Sequence, residues 1–238
     1  MPASIPHMQQ CRWHGHATAQ ALVAAAAEKI LRLAEAAIAS SGRFSIVLAG
    51  GNTPRKVYEL LCISRADWAH WRVYFGDERC LPAQHAERNS TMAAQCWLDH
   101  VAIPRQHIFC IPAELGARMA AVRYAQTLHD VGQFDLVLLG LGEDGHTASL
   151  FPGREWGTDA AAPDVLAVMD APKPPSERVS LSAHRLSDSS AVLFLVSGAG
   201  KCQPLADWRA GKDIPARAIM PAAGVDVLFD EAAASKLA

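Results

Sequence analysis

Short apolar runs alternate along this chain with longer stretches whose apolar residues recur every three or four positions. The runs over 44–49, 72–75, 134–139, 191–196 and 225–229 are rich in Val, Ile, Leu and Phe. Strands covered on both faces read this way, because neither face meets water. Two further runs, 107–111 and 165–169, predict additional strands. Helical periodicity falls between them, over 18–39, 54–62, 90–100, 115–131 and 200–210. The alternation predicts an α/β fold, with a mainly parallel sheet and helices on both faces in a Rossmann-like three-layer architecture.

The Pro172-Lys173-Pro174-Pro175 segment resists both helix and central strand and predicts a surface loop. The apolar runs after it are as continuous as those before, so residues 1–238 read as a single domain. Half of the residues are hydrophobic, enough for a sizeable core. Net charge is −2 and no run of Lys or Arg forms a stripe, which argues against nucleic-acid or anionic-membrane partners. Six cysteines lie far apart without a C-x-x-C pair, so neither a disulfide framework nor a zinc site is expected. The N-terminus lacks a charged leader followed by an apolar core, and no signal peptide is expected. The apolar stretch 17–39 is interrupted by Glu28, Lys29, Arg32 and Glu35, the mark of an amphipathic helix rather than a membrane span. A cytoplasmic protein, monomeric or a small homo-oligomer, is the expectation.

Ligands of open parallel sheets bind beyond the carboxyl ends of the strands. Four loops at such ends carry candidate chemistry. After the run 44–49 come Gly50, Gly51, Asn52, Thr53 and Pro54. The glycines allow close backbone approach, Thr53 is placed to cap a helix, and Pro54 suits its first position. Free N–H groups at such a helix start suit a phosphate. After 72–75 come Gly76-Asp77-Glu78-Arg79, where Asp77 can face the crevice and Arg79 can stabilise developing negative charge.

The third loop, from Gly140 to Pro152, is the most informative. Asp144 and His146 lie two apart in a glycine-rich turn, with Thr147 and Ser149 as further donors. A histidine titrates near neutrality and suits general acid–base work, and a nearby carboxylate can orient it and raise its pKa. Spacing alone leaves open whether Asp144 makes that contact. The fourth loop, Ser197-Gly198-Ala199-Gly200-Lys201, suggests a backbone nest opening a helix, with Lys201 as a point charge for phosphate. Arg178 is a second cation able to reach the same anion. The Walker spacing is absent, so a nucleoside triphosphate is not the expected ligand.

These four loops, with Arg88-Asn89-Ser90 and Arg178-Val179-Ser180, occur together and in one order. On them the chain resembles the 6-phosphogluconolactonases over essentially its whole length. The wider superfamily includes glucosamine-6-phosphate deaminase. The resemblance implies hydrolysis of a phosphosugar lactone, 6-phospho-D-glucono-1,5-lactone, to 6-phospho-D-gluconate in the oxidative pentose phosphate route, with no organic cofactor and no required metal. It implies that His146 is the general base for water and that Asp77, Arg79 and Asp144 belong to the active site. It further implies that Arg178 and Lys201 hold the phosphate together with the first glycine loop.

Glu143 departs from the pattern, standing where the family often has Pro. An unpaired buried carboxylate is costly, so Glu143 is expected to point outward. A deaminase resembles an Ala-Phe-Asn-Glu-Pro continuation after the Asp-Gly-His core, whereas here Ala148-Ser149-Leu150-Phe151-Pro152 brings no acid. A non-catalytic sugar-phosphate sensor is the other alternative, but His146 is present and no basic patch or helix-turn-helix extension is seen.

Overall fold

Parallel pairing joins most of the apolar runs into one sheet. The computed structural model describes residues 9–236, so the expectation of no leader rests in part on residues outside the described ones. Its strands are β1 (Cys11–His16), β2 (Phe44–Leu48), β3 (Trp71–Phe75), β4 (Asp77–Arg79), β5 (Ile108–Phe109), β6 (Leu136–Gly140), β7 (Val165–Val168), β8 (Arg178–Leu181), β9 (Val192–Val196) and β10 (Val225–Asp230). Among the described residues, seven strands form the main sheet in the order β1-β10-β9-β6-β2-β3-β5. Every pairing in it is parallel. All residues of β2 and β9 are buried, as strands with both faces covered must be.

The helices are α1 (Ala19–Ser41), α2 (Asn52–Cys62), α3 (Asn89–Ala93), α4 (Ala117–Leu128), α5 (Ala183–Ser187), α6 (Cys202–Arg209) and α7 (Glu231–Ala234). In α1 the buried residues Leu22, Val23, Ala26, Ala27, Ile30 and Ala34 recur at helical spacing and form its inner face. Thr18 caps its start by accepting from the Ala21 N–H, and Gly42 ends it in the left-handed conformation. Among the described residues, no helix is long and apolar enough to cross a membrane.

Several expectations change in detail. Helix α2 starts two residues earlier than expected, with Gly51 as its cap at φ 101°, and Thr53 makes no capping bond. Pro54 is therefore the third helical residue, still within the first turn, where no N–H partner is required. The helix expected over 90–100 is a short α3 followed by a wider turn, Ala94–Leu98. The polar edge strand β1 was not expected. Strand β7 is real but belongs to a second, antiparallel sheet, β4-β8-β7. That small sheet turns what looked like a charged turn, Asp77-Glu78-Arg79, into a strand paired with Arg178–Ser180. Both sheets feed one apolar core, to which β8 contributes Val179 and Leu181.

Candidate active site

Two buried tyrosines define where the site begins. The Tyr58 hydroxyl accepts from the Ala49 N–H at 3.0 Å and donates to the Ala49 carbonyl at 2.8 Å. Tyr124 does the same at Phe75, at 2.9 and 3.1 Å. Each hydroxyl satisfies the backbone where a strand stops and a site loop starts, at the ends of β2 and β3. Beyond them Gly50, Gly51 and Gly76 line a crevice shared with the loop after β6. Gly50 is obligatory there, because an added Cβ would lie 2.0 Å from Asn89 Oδ1.

His146 stands on the wall of this crevice, with its ring 4.9 Å from that of Phe151. Its Nδ1 is hydrogen-bonded to Asp144 Oδ1. Burial works to raise the Asp144 pKa, but the bond and charge of His146 outweigh it and hold the carboxyl below its ordinary value. An ionised carboxylate can only accept, so Nδ1 carries the hydrogen. The other ring nitrogen, Nε2, has no protein partner among the described residues and keeps its lone pair while the ring is neutral. Burial lowers the His146 pKa, more than the Asp144 carboxylate raises it, and Lys173 lowers it further. The ring is therefore neutral at pH 7. Gly142 makes room for it, since a Cβ there would lie 1.9 Å from Nδ1.

Asp77, 6% exposed, faces the crevice between two donors. Asn89 Nδ2 donates to its Oδ1 at 3.0 Å and Ser149 Oγ to its Oδ2 at 2.6 Å. Its neighbour Glu78 is fully buried and turned away. That carboxylate accepts from the N–H groups of Arg79, Asn89 and Ser90 at 2.7–2.9 Å, capping α3 from another strand. Arg79 also lines the crevice. Its Nη1 donates to the Glu87 carbonyl at 2.7 Å, while its Nε is buried with no partner. Its guanidinium is thereby held at the crevice wall, where its remaining Nη donors can meet a ligand.

Three further cations meet the same space: Lys173, Arg178 and Lys201. Burial lowers the Lys201 pKa; the Glu143 carboxylate opposes this and Lys173 adds to it. The Arg178 guanidinium lies 5.7 Å from the Phe151 ring, on the ring that also packs against His146. One crevice thus joins a neutral imidazole, the guanidinium of Arg79 and a group of further positive side chains.

The family model for glucosamine-6-phosphate isomerases and 6-phosphogluconolactonase matches residues 17–228. The chain belongs to that family. A 6-phosphogluconolactonase of Nostoc sp. is 35% identical over 230 residues, covering 91% of this chain and 94% of its own. One of Pseudomonas putida is 33% identical over 213 residues, covering 87% and 88%. The structure of the Trypanosoma brucei 6-phosphogluconolactonase superposes with a TM-score of 0.84 at 30% identity, over 97% of this chain and 100% of the other. A monomeric glucosamine-6-phosphate deaminase superposes with a TM-score of 0.81 at 20% identity, over 94% and 99%, a likeness of fold alone.

In this member of the glucosamine-6-phosphate isomerase/6-phosphogluconolactonase family, the residues singled out from sequence divide into two groups. Asp77, Arg79, His146, Thr147, Arg178, Lys201, Gly50 and Gly51 line the crevice, and Asp144 touches it through His146. Asn52 and Thr53 open α2 just behind Gly51 without lining it. Ser197 and Gly198 do not line it either, since the Ser197 hydroxyl and the Gly198 N–H both donate to Asp230. The Thr147 hydroxyl donates to the Gly140 carbonyl at 2.9 Å, a bond that holds the loop. Glu143 is exposed yet sits on the rim, its carboxylate beside Gly200, so it points neither into the core nor simply away. Asn89 and Lys173 were not singled out as site residues. Asn89 stands just before the predicted helix, in a motif that carries the resemblance but was given no role, and Lys173 in a proline-rich loop, and neither position advertises a crevice 70 or more residues distant in sequence from part of its lining. Among the described residues, no cluster of three or more His, Cys, Asp or Glu could hold a metal ion.

Proposed function

We propose that this family member hydrolyses 6-phospho-D-glucono-1,5-lactone to 6-phospho-D-gluconate, with His146 as general base. The observation that carries the reading is the Asp144–His146 pair opening, through Nε2, into the crevice that also holds Lys173, Arg178 and Lys201. A lactone is an activated ester, so a base for water and donors for the oxyanion suffice without a protein nucleophile.

In this mechanism, Nε2 takes a proton from water as the oxygen attacks the lactone carbonyl carbon. The imidazolium that forms is stabilised by the Asp144 carboxylate at Nδ1. Arg79, whose guanidinium lines the crevice, donates to the oxyanion of the tetrahedral intermediate. As the intermediate collapses, the bond from the carbonyl carbon to the ring oxygen breaks. His146 returns its proton to that oxygen, which leaves as the sugar hydroxyl. Asp77, held by Asn89 and Ser149, is placed to accept from a sugar hydroxyl. The cations and the free N–H groups of the Gly50-Gly51 turn receive the phosphate, whose binding energy orients the ring for attack.

The Nostoc and Pseudomonas putida relatives are 6-phosphogluconolactonases, and the Ala148–Pro152 stretch carries no carboxylate for a deaminase-type ring opening. Acid release followed against the spontaneous rate tests the proposal. Fresh phosphorylated lactone is expected to be turned over with a kcat/KM at least ~100-fold above that of glucono-1,5-lactone, given charge-assisted phosphate contacts. No acceleration of either lactone would reject it.

A further inference from the structure

One part of the crevice lining is built around Asn89, a buried residue at the start of α3. Its backbone N–H donates to the Glu78 carboxylate at 2.7 Å, which fixes the residue against β4. Its amide nitrogen Nδ2 donates to the Asp77 backbone carbonyl and to Asp77 Oδ1, both at 3.0 Å. Both Nδ2 hydrogens are thereby used. The amide cannot turn over, because that would set its oxygen against the two oxygens of Asp77. Oδ1 therefore stays over the Gly50 turn, 2.0 Å from where a Cβ on Gly50 would lie. Among the described residues, no protein donor is hydrogen-bonded to it. Asp77 is held from its other side by Ser149, whose own N–H donates to Ser180 Oγ at 3.2 Å.

We propose that Asn89 is a specificity-determining residue of this site, its Oδ1 accepting the hydrogen of one ring hydroxyl of the phosphosugar beside the hydroxyl that Asp77 receives. This rests on the functional reading above and adds to it a residue that reads the sugar ring rather than the phosphate. With the hydrogens of Asn89 Nδ2 and Ser149 Oγ committed to Asp77, this patch offers a ligand lone pairs only. It therefore receives hydroxyl groups, which donate, and rejects a keto group or a carboxylate, which cannot. Gly50 belongs to the same device, since any larger residue would fill the space that Oδ1 occupies. In the empty crevice water can meet this oxygen. A bound sugar lacking the hydroxyl covers it and leaves it unpaired, and the cost of a covered, unpaired acceptor is what discriminates between sugars.

The test is kcat/KM of wild type and Asn89→Ala on the parent lactone and on its 2-deoxy, 3-deoxy and 4-deoxy analogues. On one analogue wild type is expected to lose ~10-fold or more. Asn89→Ala is expected to lose a similar factor on the parent and little further on that analogue, because variant and analogue remove the same bond. Ser149→Ala loosens Asp77 from its other side but leaves Asn89 Oδ1 in place, so its loss is expected to be the same on the parent as on that analogue. A wild type that loses less than ~3-fold on every analogue overturns the proposal without any variant. So does a folded Asn89→Ala protein that loses the same factor on every lactone, the mark of a structural role alone. Coupling of Ser149→Ala to the same hydroxyl as strongly as Asn89→Ala overturns it in favour of Asp77. Asn89→Ser, too short to reach the Gly50 turn, makes the same comparison should Asn89→Ala not fold. A wild type that turns over no lactone contradicts the functional reading alone; calorimetric titration with 6-phosphogluconate and its three deoxy forms then reads the Asn89 contact through Kd, with the same outcomes for and against.

Discussion

The Asp144 carboxylate accepts the Nδ1 hydrogen of His146, while burial keeps that ring's pKa below its ordinary value despite the neighbouring charge. The pair is therefore a neutral base with its tautomer fixed, rather than an ion pair, across the neutral range.

The acid limb of the pH profile should report this. Activity requires neutral His146, so kcat/KM is expected to stay high at pH 7 and fall only below the free-imidazole value of ~6.5. Asp144→Asn preserves an acceptor for Nδ1 but removes the charge that raises the His146 pKa. Its acid limb is expected to move to still lower pH, with kcat reduced ~10-fold or more as the imidazolium loses its counter-charge. A limb displaced to higher pH in the variant contradicts this electrostatic account.

Gly142 is a steric allowance for the base. In Gly142→Ala the new methyl would overlap the imidazole, at 1.9 Å from Nδ1 in the present geometry, and the ring must turn away from Asp144. Loss of kcat by ~10-fold or more is expected. Unaltered kcat would show that the ring tolerates another placement.

The two tyrosine clamps make a stability prediction. Tyr58→Phe and Tyr124→Phe each strip a hydroxyl from a buried backbone N–H and carbonyl pair. Each is expected to cost ~1–3 kcal/mol. For a chain of this size the midpoint of thermal unfolding falls ~2–4 °C per kcal/mol, which calorimetry detects readily. A variant as stable as wild type would mean that water replaces the lost hydroxyl.

Sequence pattern and structure part company in instructive places. The continuous runs that became β2, β3, β6, β9 and β10 were legible because both faces of each strand are buried. Strand β1 was not, since an edge strand with Arg12, His14 and His16 carries no such signal. Asp77-Glu78-Arg79 read as a loop rather than a strand because the partners that bury it, Arg88 and Asn89, lie about ten residues away and β8 lies about a hundred. Within the site, the spacing of Asp144 and His146 identified the pair but not their contact. The bonds of Ser197 and Gly198 to Asp230 were not legible, because Asp230, which takes both of their hydrogens, comes from the end of a different strand. Tertiary partners of this kind leave no periodicity to read.

A second carboxylate, far from the catalytic one, ties the edge of the sheet together. Asp226 on β10 meets Arg12 and His14 of β1 and Lys29 of α1 at 2.6–2.9 Å. Burial opposes its ionisation, but bonds from Arg12, Lys29 and His14 prevail and hold its pKa far below the usual carboxylate range. Stability from such a depressed pKa is present above the unfolded value of ~3.9 and is lost only as pH falls from there through the folded value. Asp226→Asn should thus be less stable than wild type at pH 7, with the gap narrowing only below about pH 4. A gap that closes already near pH 6 would contradict this account.

The most direct test of the catalytic assignment is the steady-state rate of acid release from fresh 6-phosphogluconolactone by wild type and His146→Ala, with folding of both checked by circular dichroism. The account predicts rapid hydrolysis by wild type and at least a ~100-fold lower kcat in the variant, with little change in 6-phosphogluconate affinity. A folded His146→Ala protein that hydrolyses the lactone at the wild-type rate would contradict it.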